Sequence, residues 1–600
     1  MKTPLRSMAL AALVGAALTL YAQVAAAPFA LPNLAGAAAS QYVPGEVLVK
    51  FKPTASMQER MATMAARGHS VLANLNQPGW AQVKIGAGQT VETALTAYRN
   101  DPNVEYVQPN YIYHATAVPN DTQYGQLWAF KNTGQTITTG TYTPKAGTAG
   151  DDMGIEKAWD HITDCSSVVV AVLDTGVNYT QEDLAANMWN GSPNHGHDFV
   201  DNDTDPMDLN GHGTHVAGII GAVGNNGTGT TGVCQKASIM AVRVLNATGS
   251  GTTATITQGI SFAVTNGAKV INMSLAGSVP FDQAFSDAIS NAQNSDLVVV
   301  VAAGNETNNN DAAGGASYPC NFTQPNLVCV AALDQNYALA SLSNWGATSV
   351  DVGAPGTNIL STFAGTVATT TDPLTAWTIS NGWTHVLNGG NDFLVDPANF
   401  LITKYGPNLN DTAAKGFNTS AVNAVTLNFS AAVNLANSGD SFVVGVDPSG
   451  VNPFGAGALQ DGIVGPVHTS GSVFPVSLDI SGCAGIISCL VGFKLATGAT
   501  TPGDFGIGIT RFSINTLTLT TNTYQIENGT SMATPEVAGL AAMLRAFNPQ
   551  YTFADTANAI KNGGRSVPAL AGKTTTGKAV DVMSSLAFIN PPTGLTATVQ

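Results

Sequence analysis

The stretch "VVVAVLDTGV", Val168 to Val177, decides the fold. An unbroken apolar run ends at Asp174 and is followed by a turn-forming Thr-Gly pair. A strand with one wet face alternates apolar and polar residues. A strand buried on both faces does not, and such strands belong mainly to parallel sheets covered by helices on either side. Working outward, the same pattern returns in "SIMAVRVL", "KVINMS" and "LVVVVAAGN". Between these runs lie segments of helical period: "HGTHVAGIIGAV", "TATITQGISFAVTNG" and "FDQAFSDAISNAQN". This alternation predicts an α/β fold with a doubly wound parallel sheet over residues 165–335. Right-handed crossovers in such a sheet place ligands at the carboxyl ends of the strands.

The flanks read differently. Residues 42–113 alternate "GEVLVKF", "SMQERMATMAARG", "WAQVKI", "TVETALTAYRND" and "VEYVQPNY", a small α+β unit. Between 364 and 523 the helical period disappears. Short alternating runs such as "NAVTLNFSAAV", "DSFVVGVD", "FPVSLDI", "LVGFKLAT" and "FGIGITRFSI" are separated by Gly, Asn, Asp and Pro, which predicts an all-β insert, a sandwich of jelly-roll-like type. After it, "SMATPEVAGLAAMLRAFNP" is again an apolar helix, so the α/β domain is interrupted and resumed.

Only 10% of the 600 residues are charged, and the formal net charge is −16. An acidic surface argues against nucleic acid or anionic membranes as partners. Lys2 and Arg6, a following apolar run and small residues at Ala25–Ala27 form a secretory signal peptide, which predicts an extracellular protein. Six cysteines on an exported chain predict disulfides. Cys320 with Cys329, and Cys483 with Cys489, are spaced to close small loops. Cys165 and Cys234 remain, each just before an apolar run and placed for the ends of neighbouring strands.

Four short stretches carry chemistry. Asp174 ends a strand, His212 starts a helix in "NGHGTHVAG", Asn305 follows a strand in "VVAAGNE", and Ser531 starts a helix in "GTSMATP". Alone, each has an ordinary structural use as a turn residue, a cap or a core histidine. Together, at one sheet edge, they supply a nucleophile, a general base, a carboxylate to orient the base and an amide donor for an oxyanion. A hydroxyl at a helix N-terminus sits where backbone N–H groups favour negative charge. Gly529 and Thr530 are expected to let a substrate backbone approach, and Pro535 to sit in the first turn, where its missing N–H is harmless.

With "DTGV", "GHGTHVAG", "AAGN" and "GTSMATP", supported by "AVRVLNATGSG" and "GAKVINMSLAG", the chain resembles the subtilisin-like serine proteases (subtilases) over residues 116–363 and 524–547. The order Asp, His, Ser is that of the family. The resemblance implies an endopeptidase with catalytic Asp174, His212, Ser531 and Asn305. It implies that Gly249, Ser250 and Gly251, and Ser274, Leu275 and Gly277, hold an extended peptide between them. Ser317 then lies at the base of the primary specificity pocket, and Thr253 stands where the family often has an aromatic residue. Both imply roomy pockets and broad cleavage. Glu536 departs from the family's usual histidine.

Asp198, Asp203 and Asp205 in "HDFVDNDTDPMD" are closely spaced hard oxygen ligands suited to Ca²⁺, as in the family's thermitase branch. The resemblance implies a second structural Ca²⁺ site from Asp121, Asp183, Asn226 and Thr228 with the carbonyls of Val223 and Thr230. "VPGEVLVKFK" and "NVEYVQPNY" resemble the ends of the family's inhibitory propeptide, of the inhibitor I9 type. Its own propeptide is thus an expected intramolecular inhibitor. Self-cleavage is expected near His114–Val118, with Tyr111 and Tyr113 in substrate pockets.

The expected division is a signal peptide at 1–27, a propeptide at 28–115, a catalytic domain at 116–363 and 524–590, an insert at 364–523, and at 591–600 a linker or the start of a further module. The expected partners are protein or peptide substrates, with no nucleic acid and no membrane. Two rival readings are a secreted binding protein using the fold as a scaffold, and a narrow processing protease. The complete set of four chemical residues opposes the first. The absence of acidic residues from the matched pocket segments opposes the second.

Overall fold

The computed structural model describes residues 42–588, apart from 113–117, 138–144, 381, 389–390, 397–403, 456–457, 465–466, 470–471 and 501–505. The expected signal peptide, most of the expected cleavage segment with Tyr113, and the tail from 589 lie outside the described residues. The chain divides into two units, Met1–Tyr113 and His114–Gln600.

In the first unit an antiparallel sheet runs in the order Ser70–Asn74, Trp80–Lys84, Tyr42–Phe51, Val104–Tyr111. The strand Ser70–Asn74 has no sequence signal, because its residues are largely exposed and nothing on it alternates. The helices Met57–Ala65 and Val91–Arg99 each begin at a capping box, Ser56 with Glu59 and Thr90 with Thr93. Such caps satisfy donors that the first turn leaves free. Val47, Val49, Phe51, Val83, Leu95 and Tyr98 form the core.

The second unit is built on a nine-stranded sheet. Its central run is Val352–Pro355, Leu327–Leu333, Val298–Ala302, Val270–Met273, Asp164–Asp174, Lys236–Arg243 and Gly196–Asp198, all parallel. Alternate residues face opposite ways. Val170, Val172, Val298 and Val300 join the core that contains the helix Thr530–Phe547. Ala171, Leu173, Val299 and Val301 join the core that contains residues of the helices Thr253–Thr265 and Gln283–Asn294. Both faces are dry, which is why these strands read as continuous apolar runs.

The segment between the two parts of this layer forms two antiparallel sheets. One holds Thr384–Asn388, Asn391–Asp396, Gly506–Glu527, Ala424–Leu435 and Val467–His468, with Ile359–Thr371 and Phe474–Asp479 paired onto it. The other holds Thr378–Ile379, Asn410–Phe417, Cys489–Ala496, Ser441–Asp447 and Leu459–Val464. Leu394, Phe429, Phe442, Phe493 and Phe512 belong to one apolar core drawn from both sheets. Ile359–Thr371 pairs along Gly506–Glu527 through Ile359–Glu527. The pairing shifts register between Phe363 and Gly365, and both strands continue past it, so a two-stranded ribbon links these sheets to the α/β layer.

The disulfides are Cys165–Cys234, Cys320–Cys329 and Cys483–Cys489, with Cα atoms 5.8, 5.3 and 5.6 Å apart. Among the described residues no helix is long and apolar enough to cross a membrane.

Candidate active site

Asp174 is the last residue of a central strand and is fully buried. His212 opens the helix His212–Gly221. Its Nδ1 and Asp174 Oδ1 are 2.7 Å apart, and Asp174 Oδ1 also accepts the Thr175 N–H at 2.8 Å. A carboxylate on Nδ1 fixes the tautomer with Nε2 free to take a proton. Burial disfavours the charged ring, but the adjoining Asp174 carboxylate outweighs it, and His212 is pushed up to about 9.

Asp208 aligns this helix, a role the sequence reading missed. It is fully buried. One oxygen accepts from Thr175 Oγ1, Asn210 N and Gly211 N, and the other from the N–H and hydroxyl of Thr214. A carboxylate at a helix N-terminus satisfies free donors and suits the dipole. The available signal was an acid just ahead of "NGHGTH".

Ser531 lies in the first turn of the helix Thr530–Phe547, which packs on the His212 helix. Its hydroxyl donates to the Ser274 carbonyl at 3.1 Å rather than to His212. Pro535 is the sixth helical residue, not a first-turn residue as expected. An N–H there would bond the Ser531 carbonyl. That carbonyl instead accepts the Ser274 hydroxyl at 2.8 Å. Ser274 is therefore engaged beneath the serine, while Asn272 Nδ2 donates to its Oγ at 3.0 Å.

Asn305 is exposed just beyond the strand Val298–Ala302. Its amide oxygen accepts the Thr530 N–H at 2.8 Å and the Thr530 hydroxyl at 3.0 Å. With the oxygen occupied, the NH₂ is the free end, a donor next to Ser531. Thr530 is completely buried, so it orients Asn305 and does not line an approach for substrate as expected. Glu536, farther along the same helix, is 1% exposed and lines a small cavity with Gln126, Trp128, Thr231 and Asn358. Among the described residues one of its carboxyl oxygens has no partner, and burial raises the group well above the usual carboxylate range.

The expected substrate segments separate. Gly249 has a φ of 76°, which favours glycine, and Ser250 and Gly251 are exposed beside it. Gly277 is corrected: its N–H and C=O both bond Tyr318, at 2.8 and 2.9 Å, so its main chain is already paired. Leu275 is half-buried and Ala276 exposed. Ser317 is buried, its hydroxyl without a partner among the described residues, and exposed Thr253 donates to Asp282.

Among the described residues no group of three or more His, Cys, Asp or Glu side chains is placed to hold a metal. The structure brings the Asp121 set together around two buried carboxylates. Asp121 and Asp183 are buried, and Asn225, Asn226 and Thr230 wrap around them through main-chain N–H groups. Asn226 Nδ2 donates to Asp183 Oδ1 at 2.7 Å, and the Val223 N–H donates to the Asp183 carbonyl at 2.7 Å. Burial raises both carboxyls, and the nearby Asp121 charge helps bring Asp183 to about 6. Thr228 lies on the same loop and donates its N–H to Asn226 Oδ1.

The second set does not fit. One Asp198 oxygen is paired with Arg243 and the other accepts from the N–H groups of Val200 and Asp201. Asp203 accepts from Asp205 N, and Asp205 from Tyr179 and Met207 N. A guanidinium fills the role expected of calcium.

Comparison with known proteins bears on this geometry. The subtilase family model matches residues 166–388 and 495–577. The fervidolysin N-terminal prodomain matches residues 30–110, in place of the I9 type expected from the sequence. The chain is 40% identical over 327 residues to a thermophilic serine proteinase of Bacillus sp. strain AK1, covering 54% of this chain and 72% of that one. It is 45% identical over 207 residues to thermitase of Thermoactinomyces vulgaris, covering 34% and 69%. An extracellular protease of Xanthomonas campestris pv. campestris is 35% identical over 309 residues, covering 45% and 48%. The chain belongs to the subtilase family, and is a subtilisin-like serine endopeptidase with a fervidolysin-type N-terminal prodomain.

Proposed function

We propose that this chain is a secreted zymogen of broad specificity whose triad is Asp174, His212 and Ser531, with Asn305 as oxyanion donor. The observation that carries this reading is the oriented pair at the nucleophile's edge: His212 bound to Asp174, and Asn305 turned by Thr530 so that its NH₂ is free.

Catalysis begins when the Ser531 hydroxyl leaves the Ser274 carbonyl and turns to His212 Nε2. As Oγ attacks the scissile carbonyl, its proton passes to Nε2, and Asp174 stabilises the imidazolium. The Asn305 NH₂ and the Ser531 N–H hold the tetrahedral oxyanion. The imidazolium then protonates the leaving amine, and water repeats the sequence on the acyl-enzyme. The substrate backbone lies as an added strand between Gly249–Gly251 and Ser274–Ala276.

The prodomain acts as an intramolecular inhibitor removed by self-cleavage near residues 114–118. We read the two antiparallel sheets as an inserted sandwich beside the cleft. Asp121, Asp183, Asn226 and the loop 223–230 hold a structural Ca²⁺, which would cancel two buried carboxylate charges and take no part in the chemistry. Export is supported by the N-terminal targeting pattern and by the relative named as extracellular.

The test is mass-spectrometric mapping of the N-terminus of the secreted protein beside Ser531→Ala. The reading requires wild type to begin near 114–120 and the variant to retain 42–113. If both proteins retain the segment, the self-processing reading fails.

A further inference from the structure

Two carboxyl groups meet inside the apolar core of the insert. Asp396 ends the strand Asn391–Asp396, two residues after Leu394 and so on its face. Asp411 lies in the strand Asn410–Phe417, two residues before Ala413 and on its face. Leu394 and Ala413 both belong to the core shared by the two sheets. The two strands are in different sheets, so each sheet aims one acid inward. Asp396 is completely buried and Asp411 is 3% exposed.

Among the described residues no donor from another group reaches either oxygen of Asp396, whose hydrogen-bond contact is the Asp411 carboxyl itself. The ionisable group that faces it is Asp411, which accepts the Gly382 N–H at 3.2 Å. Gly382 makes the approach possible. A Cβ there would lie 2.3 Å from Asp396 Oδ1 and 2.6 Å from Asp411 Oδ2. The missing side chain lets the Gly382 main chain lie directly against both carboxyls. Two buried carboxyls that face each other, one of them without a donor on either oxygen, are poorly matched to their surroundings without a compensating cation or proton.

We propose that Asp396 and Asp411 form a divalent-cation site, filled by Ca²⁺, that ties the two sheets of the insert together. Two carboxylates balance one divalent ion, and their hard oxygens suit calcium over softer metals. Calcium's flexible shell of about six to eight oxygens accommodates a partial protein set completed by main-chain carbonyls or water. The site is separate from the one at Asp121 and does not depend on the proteolytic reading.

The test uses the full chain carrying Ser531→Ala to prevent autolysis. Bound calcium per chain is measured after dialysis, and Tb³⁺ emission is excited through tryptophan. Trp383 adjoins Gly382 in the chain and is 1% exposed, a ready sensitiser. Asp396→Asn and Asp411→Asn should each lose one ion, and the sensitised emission with it. Trp383→Phe should lose much of the emission and keep the ion. Asp183→Asn should lose a different ion and keep the emission. Unchanged calcium in Asp396→Asn overturns the proposal. So does an Asp396→Asn protein that resists heat better than its parent in saturating Ca²⁺, since that marks two carboxyls sharing a proton. If the Asn variants do not fold, the decision rests on Asp183→Asn: calcium should raise its melting temperature, and no rise overturns the site.

Discussion

Ser274 and Ser531 are joined twice: the Ser274 hydroxyl donates to the Ser531 carbonyl at 2.8 Å, and the Ser531 hydroxyl donates to the Ser274 carbonyl at 3.1 Å. The first bond replaces the helical bond that Pro535 cannot make. Ser274→Ala should therefore leave a carbonyl without a partner and cost about 1–3 kcal/mol of stability. Pro535→Ala restores a main-chain donor and should recover much of that loss in the Ser274→Ala background. Denaturant unfolding of the two single variants and the double variant checks this. Additive effects would show that the carbonyl is not the cause.

The pH profile follows from His212. A general base acts in its neutral form, and the Asp174 charge raises the ring to about 9. Activity should then climb with rising pH, with an apparent pKa above the ordinary value of about 6.5. The charged pair's contribution to stability has the opposite course. It is complete below about pH 6.5 and is lost as pH rises through about 9. Asp174→Asn should lower the apparent pKa and reduce kcat by about 10⁴. A pH series of kcat/KM on a neutral peptide substrate decides it. An unshifted profile in the variant would sink the assignment.

Asn305→Ala removes the oriented NH₂. In a subtilisin, loss of such a donor costs about 10²–10³ in kcat, and the same loss is expected here with KM little changed. Thr530→Val removes the hydroxyl bond to the amide oxygen and leaves the main-chain N–H bond in place. It should give a smaller loss of the same kind, visible in kcat rather than KM.

Glu536 bears on stability. Its folded-state pKa lies well above the ordinary 4.5, so the folded protein binds a proton that the unfolded chain releases. Stability therefore falls as pH rises above about 4.5, by up to about 1.4 kcal/mol per pH unit until the folded-state pKa is reached. Glu536→Gln carries no such proton. Its melting temperature should pull ahead of wild type with rising pH, and parallel curves would exclude this linkage.

Calcium removal tests the Asp121 set. At a concentration about a hundredfold above Kd, an ion that binds only the folded state adds about 2.7 kcal/mol. Chelation should lower the melting temperature of the wild type, and the loss attributable to this site should be absent from Asp183→Asn. Equal losses in both proteins would count against it.

The parallel sheet was readable because burial on both faces leaves a local mark, the unbroken apolar runs at 168–173 and 298–302. That Asp174 and Asn305 stand at or just past strand ends and that His212 and Ser531 lie at helix starts was readable because each stands where a run changes period. Their partners were not. Thr530, Ser274 and Asp208 are ordinary polar residues in sequence, and their work appears only when segments up to 257 residues apart are brought within hydrogen-bond distance. Gly277 was misjudged for the same reason, since nothing local says that Tyr318 takes its main chain. Asp198 kept an acid's spacing but lost its expected ion, because Arg243 on the neighbouring strand arrives first. Hydrophobic periodicity is written along one segment and sets the elements. The pairing of buried polar groups depends on which segments meet, and only the folded chain decides that.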